Sequence, residues 1–318
     1  MALSLAMQLP TRLAPFLLIG PVLLAQPPAQ KKWPSQPAAW VDPDKNEPAG
    51  AHYKTFPSKL AAASALASDD VSYLIYLPPS YETDTTKRYP VVYWLHGLGG
   101  NQRAGATFIQ QMLPVAAAGK IPEMIVVLVN GMKDSFYNDS PDGKWPIESV
   151  IIRELIPHID QTYRTLARRE DRAIEGYSMG GYGAAHLAFK YPELFGIVGV
   201  NAGALITPRS TVQPAIYEKM FGSNDAYVRA NDPFVLLKKN ADAIRGRTFI
   251  RVAVGGDDSL LPRNKALDEA LSDLKIEHDW EVVAGVAHNP PLFYRTLAAK
   301  AMANYQKAFT DRRALSHR

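Results

Sequence analysis

The sequence predicts an α/β fold in which a mostly parallel sheet lies between layers of helices. Apolar runs such as residues 91–95 and 124–129 are uninterrupted, which is typical of strands buried on both faces of a parallel sheet. Segments with helical apolar spacing alternate with these runs, and this alternation favours helices packed on a central sheet. The predicted strands cover residues 71–77, 91–95, 124–129, 172–175, 197–200, 248–254 and 278–283.

The helical segments include one with an internal proline, and one inter-strand connection is unusually long. Pro157 lies within residues 147–163 and is expected to kink that helix. Residues 202–246 are too many for a plain connection, so they are expected to carry helices of their own and could wall a site. The predicted helices cover residues 106–118, 147–163, 181–190, 263–274 and 291–309.

The composition indicates a globular protein and excludes several kinds of site. Of the 318 residues, 47% are hydrophobic, and the formal net charge is +4. No Lys/Arg-rich run is long enough to favour nucleic-acid binding. The chain contains no cysteine, which excludes disulfides, thiolate catalysis and cysteine-bound metal.

The chain is predicted to have four parts. Arg12 precedes an apolar run over residues 13–25, which indicates a secretory signal; the run is shorter than the ~20 residues of a spanning helix, although an uncleaved anchor is the alternative. The signal predicts an exported protein, periplasmic or extracellular, without stable membrane insertion after cleavage. The parts are a signal peptide (1–25), a flexible Pro/Ala-rich leader (26–50), one catalytic α/β domain (51–310) and a basic tail (311–318).

One short motif indicates a nucleophile. Gly176-Tyr177-Ser178-Met179-Gly180 follows a predicted strand and opens a predicted helix. This is the strand–turn–helix context of the nucleophile elbow of α/β-hydrolases, in which a serine hydroxyl stands above the sheet. Ser178 is therefore the candidate nucleophile.

Two later loops supply candidates for an acid and a base. In α/β-hydrolases the chain order is serine, then acid, then histidine. Asp257 and Asp258 follow the predicted strand 248–254, and the residues alone do not choose between them. His288 follows the strand that ends at Val283 and is the candidate base, because a serine hydroxyl needs a partner to take its proton.

The loop after the strand 91–95 is a candidate oxyanion hole. It reads His96-Gly97-Leu98-Gly99-Gly100, at the position where α/β-hydrolases supply a backbone N–H to the oxyanion. The predicted donors are the N–H groups of Leu98 and Met179, whereas His96 is expected to have a structural role.

Substrate contacts are less well defined by the sequence. Asp139 and Trp145 lie in a polar loop after the strand ending at Val129, and they could contact a sugar or an aryl group. A solvated loop is the alternative for both. Tyr177, which precedes the candidate nucleophile, is the third candidate contact.

Several stretches together resemble a family of α/β-hydrolase esterases. This family includes feruloyl and acetylxylan esterases, S-formylglutathione hydrolases, enterochelin esterases and mycolyltransferases, and the similarity covers about residues 52–307. The resemblance implies Asp258 as the acid, because the family's acid commonly stands three residues after a glycine, here Gly255. It implies His288 as the base, although Ala287 and Asn289 depart from the family's usual neighbours. The stretches are residues 76–81, 89–97, 154–157, 163–165 and 176–181.

The combined expectation is an exported serine esterase that acts through an acyl-enzyme. Such chemistry requires no metal or organic cofactor. By the resemblance, the substrate is a small-molecule or polysaccharide ester, with feruloylated or acetylated xylan as the first expectation. The alternatives are an acyltransferase of the mycolyltransferase type and a non-catalytic glycan-binding protein on the same fold. The sequence does not predict the oligomeric state.

Overall fold

The computed structural model, which describes residues 38–118, 122–205 and 214–316 with side chains through residue 310, contains an eight-stranded sheet. Its strands are β1 (His52–Pro57), β2 (Asp70–Tyr76), β3 (Val91–Leu95), β4 (Ile125–Val129), β5 (Arg172–Tyr177), β6 (Ile197–Asn201), β7 (Phe249–Gly255) and β8 (Asp279–Val283).

The strands follow the order β1-β2-β4-β3-β5-β6-β7-β8. β2 pairs antiparallel with both β1 and β4, and all the pairs from β4 to β8 are parallel. The predicted α/β fold is confirmed. β1 is a strand that the sequence analysis did not predict. Since the strands from β4 to β8 all run the same way, the loops that follow them meet at one edge of the sheet.

Helices cover both faces of the sheet. The predicted helical segments are present with small shifts, and the irregularity expected at Pro157 takes the form of a π-helical segment, Val150–Leu155, just before it. The helices are α1 (Lys59–Ala62), α2 (Ala106–Ala118), α3 (Ile147–Ser149), α4 (Ile156–Thr162), α5 (Met179–Lys190), α6 (Pro214–Phe221), α7 (Asp225–Ala230), α8 (Pro233–Lys239), α9 (Ala241–Ile244), α10 (Leu261–Asp273) and α11 (Pro290–Ser316).

Alternate residues of β3 enter two separate cores. Tyr93 and Leu95 pack on the side of α5, whereas Val92 and Trp94 pack on the side of α2 and α11. Every residue of β3 is therefore buried. This burial on two faces explains why the strand reads as an uninterrupted apolar run.

The ends of the domain differ from the sequence expectation. Residues 38–50, expected to belong to a flexible leader, pack on the domain: Trp40 is 1% exposed, and its Nε1 donates to Ser64 Oγ at 2.7 Å. The domain therefore begins no later than residue 38, not at 51. At the other end α11 continues to Ser316, so the expected basic tail is helical up to that residue.

Some expectations fall outside the described residues. The predicted signal peptide, residues 26–37 of the leader and residues 317–318 are among them. The long connection of residues 202–246 carries α6 to α9, as expected, and its residues 206–213 also lie outside. In the part of the chain that the structure describes, no helix is both long and apolar enough to cross a membrane.

Candidate active site

Ser178 occupies a strained turn between β5 and α5. Its φ of 61° and ψ of −116° lie in a region that residues other than glycine rarely adopt. The flanking glycines are required by close backbone approach: a Cβ on Gly176 would lie 2.2 Å from the Gly180 oxygen, and one on Gly180 would lie 2.0 Å from the Leu95 oxygen. The Asn201 oxygen accepts from the Ser178 N–H at 3.0 Å. These contacts hold the serine above the carboxyl end of β5.

The structure brings Ser178, His288 and Asp258 together. His288 Nε2 lies 3.0 Å from Ser178 Oγ, and His288 Nδ1 lies 2.7 Å from Asp258 Oδ2. The Asp258 side chain is completely buried, and its other oxygen accepts from the Leu260 N–H at 2.9 Å. Asp257 is exposed. Of the two adjacent aspartates, it is Asp258 that reaches the imidazole.

The His288 ring rests on Tyr177. The two ring centroids are 4.9 Å apart, and Tyr177 is only 2% exposed. Tyr177 also packs edge-on against Phe293 of α11, with centroids 5.3 Å apart. Asn289 caps that helix by accepting from the Leu292 N–H at 3.1 Å. Tyr177 therefore supports the His288 ring. Its burial does not fit the substrate contact that was expected.

The glycine-rich loop of residues 96–100, called the oxyanion loop below, lies beside the serine. A Cβ built on Gly97 would lie 3.4 Å from Ser178 Cβ, so the loop backbone passes Ser178 closely. The Gly99 N–H donates to the Lys133 oxygen at 2.6 Å, which fixes the tip of the loop. Met179 is the first residue of α5, where a backbone N–H has no acceptor within the helix.

His96 is a buried structural residue, as expected. Its side chain is completely buried, and this burial lowers the pKa of His96 to about 4. The ring is therefore neutral at neutral pH. Its Nδ1 lies 2.9 Å from the Gly97 oxygen, which can only accept, so Nδ1 carries the proton and donates.

The sequence of this chain matches a known protein family. Residues 64–313 match the family described as "Putative esterase", which is more than half of the chain. The chain belongs to this esterase family. The resemblance inferred from the motifs is thereby confirmed.

This chain matches parts of two longer curated relatives. It is 35% identical over 158 residues to an endo-1,4-beta-xylanase/feruloyl esterase of Xylanibacter ruminicola, an alignment that covers 46% of this chain and 21% of the relative. It is 27% identical over 249 residues to esterase Rv1288 of Mycobacterium tuberculosis, which covers 69% of this chain and 53% of the relative. The chain thus spans about a fifth and about half of these two relatives.

Solved structures share the fold. A ferulic acid esterase superposes with a TM-score of 0.70 at 24% identity, covering 81% of this chain and 98% of the other. An S-formylglutathione hydrolase from Agrobacterium tumefaciens superposes with a TM-score of 0.65 at 22% identity, covering 84% and 98%. At these identities the likeness concerns the fold alone.

Asp139 and Trp145 are engaged in contacts within the protein. Asp139 accepts from the Ser149 N–H at 2.9 Å and from Ser149 Oγ at 2.6 Å, and burial raises the pKa of Asp139. Lys219 Nζ lies 3.9 Å from the centroid of the Trp145 ring. These contacts hold the loop after β4 to α3 and α6. They give both residues a structural role in the protein.

Asn264 of α10 is a buried polar residue that the sequence analysis missed. Its side chain accepts from the Gly203 N–H at 2.9 Å and donates to the Gly203 oxygen at 3.0 Å. The next residue, Ala204, donates its N–H to the Ser178 oxygen at 2.9 Å. Asn264 therefore helps to hold the start of the long connection against the turn at Ser178. The available signal was a polar residue in the apolar stripe that continues with Leu267 and Leu271.

A buried polar cluster fastens the long connection to α5. Glu148 lies 2.8 Å from His186 Nε2 and 2.8 Å from Lys190 Nζ. The Asn231 oxygen lies 3.0 Å from His186 Nδ1, and Asn231 Oδ1 accepts from Lys190 Nζ at 2.9 Å. Burial alone would raise the pKa of Glu148, but the hydrogen bonds and charges of His186 and Lys190 lower it to about 2.

The pKa of Glu148 predicts a loss of stability in acid. Because its pKa is lower in the folded state than its ordinary value of 4.5, the ionised carboxylate stabilises the fold above that value, and this contribution is lost as the pH falls towards 2. Glu148→Gln is expected to lower the free energy of unfolding at neutral pH and to weaken its dependence on pH below 4.5. Urea unfolding at a series of pH values measures both effects, with the exposed Asp273→Asn as control. A variant that keeps the full acid dependence of the parent would contradict this role.

Proposed function

We propose that this esterase hydrolyses carboxylic esters through a covalent acyl-enzyme on Ser178. The observation that carries the proposal is the continuous chain from Ser178 Oγ to His288 Nε2 at 3.0 Å and from His288 Nδ1 to Asp258 Oδ2 at 2.7 Å. In this arrangement His288 can take the serine proton, and Asp258 keeps the Nδ1 proton of the ring in place.

The steps follow from the positions of these groups. Ser178 Oγ attacks the ester carbonyl while its proton passes to His288 Nε2. The N–H groups of Leu98 and Met179 bind the oxyanion, and one such donor typically contributes about 3 kcal/mol in the transition state. His288 then gives its proton to the leaving alcohol, and it next activates the water that releases the acid and restores Ser178.

For the substrate we propose esters of feruloyl or acetyl groups on plant polysaccharide. The support is the names of two relatives, the xylanase/feruloyl esterase of Xylanibacter ruminicola and an acetyl esterase of Caldicellulosiruptor saccharolyticus that is 27% identical over 214 residues, covering 60% of this chain and 77% of that protein.

A substrate panel tests this proposal. The rates for methyl ferulate, acetylated xylan and p-nitrophenyl esters of increasing acyl length are compared on one enzyme preparation. A higher kcat/KM for ferulate or acetyl-sugar esters than for the p-nitrophenyl esters, each corrected for its uncatalysed rate, is expected. Equal or lower values would remove the substrate proposal while leaving esterase activity intact.

We also propose export of the esterase, on the basis of the apolar run over residues 13–25. Expression of the full chain in a bacterial host, followed by fractionation and sequencing of the N-terminus, tests it. A shortened chain outside the cytoplasm is expected. An uncleaved chain in the cytoplasm would contradict it.

A further inference from the structure

The segment that precedes β1 is built into the carboxyl edge of the sheet. Residues 38–44, called the strap below, contain the buried Trp40. The Trp40 oxygen accepts from the Ser72 N–H at 2.8 Å and from Asn130 Nδ2 at 2.9 Å. Asn130 is the first residue after β4, so the strap lies beside the loops that surround the nucleophile.

The strap is joined to the chain just beyond the oxyanion loop. Arg103 Nη1 donates to Asp42 Oδ1 at 2.9 Å and to the backbone carbonyl oxygen of Asp44 at 2.8 Å. The Asp42 side chain is 5% exposed and that of Arg103 is 17% exposed. A charge pair that is shielded from water in this way holds its geometry more firmly than an exposed one.

A second contact joins the same two segments. Gln102 is completely buried, and its Oε1 accepts from Ser72 Oγ at 3.1 Å. Ser72 Oγ in turn accepts from the Asp42 N–H at 2.9 Å. Gln102 and Arg103 are thus both joined to the strap. Gln102 is joined through the buried Ser72 hydroxyl and Arg103 through the charge of Asp42.

These contacts fix the far end of the oxyanion loop. The near end is fixed because His96 directly follows β3, and the tip is held through the Gly99 N–H on the Lys133 oxygen at 2.6 Å. Between these points the loop contains Gly97, Gly99 and Gly100, so its backbone has little conformational preference of its own. The direction of the Leu98 N–H therefore depends on where the tip and the two ends of the loop are held.

We propose that Asp42 is a positioning residue for the oxyanion hole, acting through Arg103 on the oxyanion loop. The inference rests on the proposed function, in which the Leu98 N–H binds the oxyanion. A displaced donor loses its transition-state contact but leaves ground-state binding of the ester nearly unchanged. The signature of this role is a loss in kcat without a matching rise in KM.

Asp42→Asn tests the role, with Asp160→Asn as its matched control. Asp160 forms a similarly shielded pair with Arg172 at 2.6 Å, and Arg172 opens β5 at the edge of the sheet opposite Ser178. With p-nitrophenyl acetate, Asp42→Asn is expected to lower kcat about tenfold and to change KM less than twofold. Asp160→Asn is expected to lower the Tm but to keep kcat within twofold of the parent. All variants are assayed at a temperature where circular dichroism shows them folded.

Arg103→Gln and the double variant complete the experiment. Because Asp42 is proposed to act through Arg103, each single variant and the double variant should show about the same loss of kcat. Multiplied losses in the double variant, or an Asp42→Asn variant that loses Tm while its kcat is unchanged, would overturn the positioning role.

Ser178→Ala separates this inference from the proposed function. If Ser178→Ala is inactive and Asp42→Asn has normal kcat, the inference alone fails. If Ser178→Ala keeps its activity, the proposed function fails and the inference fails with it.

Discussion

Replacing Ser178 with alanine is expected to lower kcat/KM for p-nitrophenyl acetate by about 10⁵-fold. The variant keeps the imidazole and the N–H groups around the ester but has no oxygen with which to form the acyl-enzyme. Steady-state hydrolysis, corrected for the uncatalysed rate, measures the loss. Alanine keeps the Cβ and the backbone angles of Ser178 and loses only the hydrogen bond with His288 Nε2, so the variant should fold as the parent does.

Ser259→Ala is the matched control for this prediction. Ser259 is exposed and follows Asp258 directly, so the change removes a hydroxyl near the same edge of the sheet without touching the Ser178–His288 pair. Its kcat/KM should stay within twofold of the parent. Hydrolysis that survives in Ser178→Ala, in protein shown by mass spectrometry to contain no parent enzyme, would show that Ser178 is not the nucleophile.

The second large effect is expected for Asp258→Asn, which should lower kcat about 10³- to 10⁴-fold. The carboxylate accepts a hydrogen bond from the Nδ1–H of His288, which keeps that proton on Nδ1. Nε2 is then unprotonated and can take the serine proton. An amide in its place can donate to Nδ1 and so favours the tautomer in which Nε2 already carries a proton.

The neighbouring aspartate provides the control. Asp257→Asn makes the same chemical change one residue earlier, on an exposed side chain, and its kcat should stay within twofold of the parent. Equal losses in the two variants, or a larger loss in Asp257→Asn, would contradict the assignment of Asp258.

The central strands and the nucleophile turn could be predicted because their signals are local. β3 and β4 are buried on both faces, so each reads as an uninterrupted apolar run. Gly176 and Gly180 beside Ser178 are required because a Cβ at either position would lie less than 3 Å from backbone atoms. The choice between Asp257 and Asp258 was different. It depends on the direction of the chain after β7, which the residues do not show, and the family resemblance was needed to select Asp258.

The strap and the support of His288 could not be predicted from local signals. Residues 26–50 are rich in Pro, Ala and Gln, a composition that favours a flexible segment. Trp40 and Asp42 are nevertheless ordered by partners far along the chain, Ser64 and Arg103, and such tertiary contacts leave no periodic pattern. Tyr177 was likewise interpreted as a substrate contact. Its packing against His288 arises only when the turn at Ser178 and the loop carrying His288 meet in the fold, and the sequence does not show that meeting.

The most direct test of the account is to map the residue that a fluorophosphonate probe labels. We expect one adduct per chain on the peptide that contains Ser178, with loss of ester hydrolysis in proportion to labelling. Ser178→Ala should remain unlabelled, and Asp258→Asn should be labelled much more slowly than Asp257→Asn. Complete inactivation with Ser178 unmodified, or full hydrolytic activity in chains labelled at Ser178, would contradict it.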